Sequence, residues 1–143
     1  MPPAGRPPRE AEAFCLGRTF PDLNDYSVTG DFDPCYNCLA WTLGITDDWL
    51  WPGDFRPYDQ WGALREFMLA RGWSYTTEEP SSGECIAIYA KGANPTHVAR
   101  RVGDGWWESK LGAWPRILHR LDDLRGKSYG ILFGFFGRDG GTK

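Results

Sequence analysis

The stretch Asp33-Pro34-Cys35-Tyr36-Asn37-Cys38-Leu39-Ala40-Trp41-Thr42-Leu43-Gly44 constrains this chain more than any other. A turn-forming Asp-Pro precedes a short apolar run that stops at a glycine, which spells loop, helix start and helix stop. Asn37 is a natural N-cap, so Cys38 falls in the first helical turn. There the unpaired backbone N–H groups and the positive end of the dipole favour a thiolate. A cysteine at that address is a candidate nucleophile, and the rest of the chain must then supply a base.

Two histidines narrow the search. His97 opens the β-like run Thr96-His97-Val98-Ala99-Arg100-Arg101-Val102. An imidazole at the mouth of a central strand, facing the start of a cysteine helix, can take the thiol proton. The run Trp106-Trp107-Glu108-Ser109-Lys110 follows a Gly103-Asp104-Gly105 turn and should form the neighbouring strand. Glu108 or Ser109 could orient the imidazole from it, and strand alternation puts only one of them on the cleft side. A carboxylate would hold an imidazolium better than a hydroxyl. For the oxyanion, the backbone N–H of Cys38 is the nearest donor, with Asn37 or Tyr36 as a second. Trp41 and Lys110 complete the candidate substrate-binding set. On the plainer reading Cys38 is a small core residue, His97 a satisfied buried histidine and Glu108 a solvated strand residue.

The order of elements predicts an α+β fold, with N-terminal helices packed on an antiparallel β-sheet. Residues 1–13 read as a flexible lead-in, 14–138 as one domain and 139–143 as a flexible tail. Within the domain, 14–33 reads as irregular, 37–43 as the cysteine helix and 47–53 as an aromatic loop. Residues 57–72 carry helical spacing at Trp61, Leu64, Met68 and Leu69. Strands are expected near 73–77, 85–90, 96–102, 106–110 and 129–136, with one more short helix over 116–124.

Composition limits the partners. The chain of 143 residues is 41% hydrophobic and 15% aromatic, enough for one domain with a core. A net charge of −3 without a basic stripe argues against nucleic acid and anionic membrane as partners. No apolar run resembles a secretory signal or a membrane span, so a cytoplasmic protein is expected, signal-independent export aside. Four cysteines do not make a disulfide scaffold. A reversible Cys35–Cys38 disulfide could lock the nucleophile.

The favoured reading needs no metal or cofactor. Pro34-Cys35-Tyr36-Asn37-Cys38 is half of a zinc deaminase signature, but His97-Val98-Ala99 lacks the glutamate and lies on the wrong side of it. A small zinc site from Cys35, Cys38 and His97 would need Cys15 or Cys85 as a fourth ligand. The non-enzymatic alternative is a protein-binding module with a degenerate cysteine site, docking through Trp49, Trp51 and Trp106.

The segments Tyr36-Asn37-Cys38-Leu39-Ala40-Trp41-Thr42-Leu43-Gly44, Thr96-His97-Val98-Ala99-Arg100-Arg101 and Trp107-Glu108-Ser109-Lys110-Leu111-Gly112, with Ile117-Leu118-His119 and Tyr129-Gly130, resemble an uncharacterised family of small bacterial proteins. That family's pattern runs Tyr-Asn-Cys-(Leu/Ile)-Ala-Trp-Ala-Leu-Gly, His-Ala-Ala-Arg, Trp-x-Ser-Lys-Leu-Gly, and the resemblance covers about residues 30 to 136. In outline it is similar to the papain-like superfamily, especially the compact NlpC-type amidases. The resemblance implies Cys38 as nucleophile and His97 as base. Those enzymes place His, Asn or Asp third, where this chain offers Glu108 or Ser109. The implied activity is a thiol-dependent hydrolase or acyl transferase on a peptide or protein amide bond. A toxin of this kind would have an inhibitor or immunity protein as partner.

Overall fold

The computed structural model describes residues 4–139. Three helices, α1 (Glu10–Thr19), α2 (Cys38–Thr42) and α3 (Gln60–Leu69), accompany seven strands. These are β1 (Ser27–Gly30), β2 (Ser74–Thr76), β3 (Glu84–Lys91), β4 (Asn94–Gly103), β5 (Trp106–Lys110), β6 (Arg116–His119) and β7 (Ile131–Arg138). The strands form one sheet in the order β1-β6-β5-β4-β3-β7-β2, antiparallel throughout. The expected α+β class with an antiparallel sheet is what the chain adopts.

Period-two alternation explains why β3 is apolar along nearly its whole length. Cys85, Ala87 and Tyr89 pack with Leu16 of α1 and with Phe20 just after it on one face. Ile86 and Ile88 pack with Leu39 of α2 and with Leu64 and Met68 of α3 on the other. A strand covered on both sides has no solvent face to mark with polar residues. Each fully buried Leu or Ile here contributes about 2 kcal/mol of transfer free energy. Asp59 caps α3 as expected, its Oδ1 accepting from the Gly62 N–H at 3.1 Å. Gly134 of β7 lies under the Tyr75 ring, where a Cβ would come within 2.6 Å of it.

Three expectations need correction. The lead-in 1–13 overlaps α1, which begins at Glu10. Arg6 explains the order there: its guanidinium holds Glu12 at 2.8 and 2.9 Å and Asp31 at 2.8 Å, and its backbone bridges Val28. That pairing lowers the Glu12 carboxyl to about 2. The irregular segment 14–33 accordingly contains most of α1 and all of β1. Residues 116–124 are β6 followed by a short 3-10 turn, Leu121–Leu124, not a helix. Apolar residues at 117, 121 and 124 imitate helical spacing, but β6 is hydrogen-bonded on both sides, to β1 and β5. Of the expected tail 139–143, all but Asp139 lies outside the described residues. No helix among the described residues is long and apolar enough to cross a membrane.

Candidate functional site

The loop before α2 is tied down residue by residue. Asp33 Oδ1 accepts from the Cys35 N–H at 2.9 Å, turning the chain after Pro34. Asn37 is the N-cap, accepting from Ala40 N–H at 3.2 Å. The same amide accepts from Leu50 N–H at 3.1 Å and donates to the Leu50 carbonyl at 2.7 Å. One side chain therefore starts the cysteine helix and clamps the aromatic loop to it. Gly44 closes the helix at φ +80°.

Cys38 is 7% exposed and packs with Leu39 and Val98 on the α2 side of the sheet. The backbone N–H groups of Val98, Leu39 and Cys38 itself favour a thiolate there, but burial outweighs them and pushes the thiol up to about 11. The thiolate expected from the helix start alone is thus replaced, at neutral pH, by a buried thiol. The last β4–β5 pair is Arg100 with Glu108. Beyond it the two strands part, α2 packs against both, and the Val98 amide is turned to the sulfur.

His97 precedes Val98 and so projects to the opposite face of β4. It is 1% exposed, and its ring stacks on Tyr129 at 4.1 Å between centroids and 3° between planes. Burial holds its pKa well below the usual 6.5. His97 Nε2 lies 2.9 Å from Ser109 Oγ, and Ser109 Oγ lies 2.7 Å from His119 Nε2. His119 Nδ1 donates to the Arg120 carbonyl at 2.7 Å, and burial lowers this imidazole to about 4. His97 Nδ1 is buried and has no hydrogen-bond partner, the thiol included. Tyr129, stacked on His97, has a phenol that burial pushes up and that a Cys38 thiolate would push further.

Between the two residues left open for orienting His97, geometry puts Ser109 against the ring. Glu108 points to the other face and pairs with Arg116 Nε at 3.2 Å. Arg116 also donates to Tyr36 Oη at 3.2 Å and to the Thr29 carbonyl at 2.7 Å, with its guanidinium 5.3 Å from the Trp41 ring centre. Lys110 is fully buried, donating to the Asp33 carbonyl at 2.6 Å and the Gly112 carbonyl at 2.5 Å, over the Tyr36 ring. Tyr36, Asn37, Trp41 and Lys110 are thus occupied in holding the loop and helix that carry Cys38. The aromatic loop borders a groove of about 640 Å³ lined by Trp49, Trp51, Phe55 and Phe67, with Phe55 92% exposed.

All four cysteines are free, Cys15 and Cys35 exposed, Cys38 and Cys85 buried. Among the described residues no group of three or more His, Cys, Asp or Glu side chains could hold a metal ion. Sequence reasoning missed His119 and Tyr129 as partners of His97. Strand alternation through Ile117 and His119 would have put the second histidine on the same face, had 116–119 been read as a strand.

Over residues 27–136 the chain matches the family described as a domain of unknown function (DUF7689), and it belongs to that family. The matched span runs from β1 into β7 and includes Cys38, His97, Ser109, His119 and Tyr129. No curated protein and no solved structure matches the chain.

Proposed function

We propose that Cys38 and His97 form the nucleophile and general base of a thiol-dependent acyl-transfer enzyme acting on a peptide or protein amide, in a papain-like, NlpC-type arrangement. The observation that carries this reading is the buried imidazole nitrogen, His97 Nδ1, left without a partner one residue from the amide that addresses the Cys38 sulfur. An unpaired buried polar atom costs about 1–3 kcal/mol, and such a cost is concentrated where chemistry uses it. The resting pair is a neutral thiol and a neutral imidazole, so proton transfer accompanies attack. Cys38 Sγ–H gives its proton to His97 Nδ1, which lies beyond hydrogen-bond reach of the thiol in the resting structure and must close on it, as the sulfur bonds to the substrate carbonyl carbon. The tetrahedral oxyanion faces the backbone N–H groups at the start of α2. Collapse expels the amine, which takes the proton from the imidazolium, and leaves an acyl-enzyme. Water, deprotonated by His97, or an acceptor amine then releases the acyl group.

The test is the pH dependence of iodoacetamide alkylation, read by peptide mass spectrometry at all four cysteines. Base-assisted attack needs both neutral groups, which coexist throughout pH 7 to pH 9, so the Cys38 rate should be level over that range. His97→Gln should slow it by about 10²-fold. An inert thiol instead follows its thiolate fraction and accelerates about tenfold per pH unit. That slope at Cys38, unchanged in His97→Gln, would remove the enzyme reading and leave the protein-binding module with a degenerate cysteine.

A further inference from the structure

The contacts among His97, Ser109 and His119 allow only one arrangement of protons when both rings are neutral. A carbonyl oxygen can only accept, so His119 carries its proton on Nδ1, 2.7 Å from the Arg120 carbonyl. Its Nε2 is then a bare acceptor. The Ser109 hydroxyl has one hydrogen and must donate it there, across 2.7 Å. Ser109 Oγ is left to accept, and the donor facing it at 2.9 Å is His97 Nε2–H. His97 Nδ1 therefore holds the lone pair.

We infer that His119, acting through Ser109, is a positioning residue that fixes the tautomer of His97, with the Arg120 backbone carbonyl as the fixed end of the relay. Resting on the thiol-enzyme reading, this explains why the lone pair, rather than a proton, occupies the unpartnered nitrogen. The opposite tautomer would put an N–H at Nδ1, unable to accept from a thiol. Stacking on Tyr129 holds the ring plane but does not distinguish the two nitrogens. Side chains supply the whole relay except its last atom, and Ser109, His97 and His119 are each no more than 1% exposed. Water does not compete for these bonds.

Nitrogen-15 NMR of histidine-labelled full chain at pH 7 tests this directly, since each ring nitrogen reports whether it is protonated. The wild type should show His119 protonated at Nδ1 alone and His97 at Nε2 alone. Ser109→Ala should convert His97 to a mixture of tautomers or invert it, and Ser109→Thr, which keeps the hydroxyl, should restore the single form. A wild-type His97 protonated at Nδ1 would overturn the relay, and so would a Ser109→Ala protein that keeps the wild-type pattern. A merely structural role for Ser109 would change stability without changing which nitrogen is protonated. The readout uses neither substrate nor thiol, so it is repeated in Cys38→Ala and should be unchanged there. Failure of the Cys38 alkylation test therefore leaves this result standing, and failure here leaves that one.

Discussion

Acid should unfold this protein through its histidines before its carboxylates are involved. His119 is lowered to about 4 and His97 lies well below 6.5, both chiefly by burial. A histidine in the unfolded chain titrates near 6.5, so between that value and the folded pKa the unfolded state binds more protons. Stability then falls as pH falls. It is fully present above pH 6.5 and lost progressively toward pH 4. By pH 5 keeping His119 neutral costs the folded state about 2 kcal/mol, and His97, lowered by burial and by its neighbour His119, adds a loss of the same sign. Against a typical total of about 5–15 kcal/mol this is a large fraction.

The assay is urea unfolding followed by tryptophan fluorescence at half-unit steps from pH 7 to pH 5. With a slope of roughly 2 kcal/mol per molar urea, His119 alone should drop the midpoint by about 1 M over that range, and His97 should deepen the drop. Glu12, lowered to about 2 by Arg6, loses its own contribution as pH falls from about 4.5 toward 2, so the window above pH 5 is clean of it. His119→Gln, which removes one of the two titrating groups, should take about 1 M off the drop. The chain's two histidines also allow each imidazole to be followed by NMR in the folded protein. A midpoint that is the same at pH 7 and pH 5, or a folded-state imidazole titrating near 6.5, would refute the reasoning.

Two substitutions separate the parts of the site. Asn37→Ala removes the cap on Ala40 and both bonds to Leu50, and should cost about 1–3 kcal/mol in urea unfolding with faster hydrogen exchange at Leu50. An unchanged midpoint would mean that aromatic packing alone holds the loop. Glu108→Gln weakens the pair with Arg116 on the other face, and should cost about 1 kcal/mol while leaving the level pH profile of Cys38 alkylation intact. A profile that changed with Glu108 would return the carboxylate to the imidazole.

The elements that were legible in the sequence are those whose signal is local. Asn37 and Asp59 are caps whose side chains reach their own helices, and β5 follows a glycine turn and ends where expected. What failed depended on distant partners. Residues 6–19 became ordered because Arg6 finds Glu12, Asp31 and the backbone of Val28, none of which is visible in a window around it. Residues 116–119 are a strand because β1 and β5 pair with them, against a spacing that suits a helix. The thiol's raised pKa is likewise set by its burial between α2 and the sheet, which outweighs the backbone N–H groups of Val98 and Leu39, while the sequence displays only the helix start.

The sheet places Cys38 and His97 on different faces. The thiol arrives with α2 on one side, and the imidazole belongs with Tyr89 and Tyr129 on the other. A continuous ladder would separate them by a full layer of backbone. Here the β4–β5 ladder stops at Arg100 and Glu108, one pair short of Ser109, and Lys110, the last residue of β5, reaches the Asp33 and Gly112 carbonyls with its side chain. Lys110 thus anchors the loop that carries Cys38, while its neighbour Ser109 meets the His97 ring on the opposite face. Adjacent residues on one strand serve the two sides because strand alternation sends them there. That is also why Glu108, two places from Lys110 and on its face, meets Arg116 and the α2 side, and cannot take the role a carboxylate would fill beside His97.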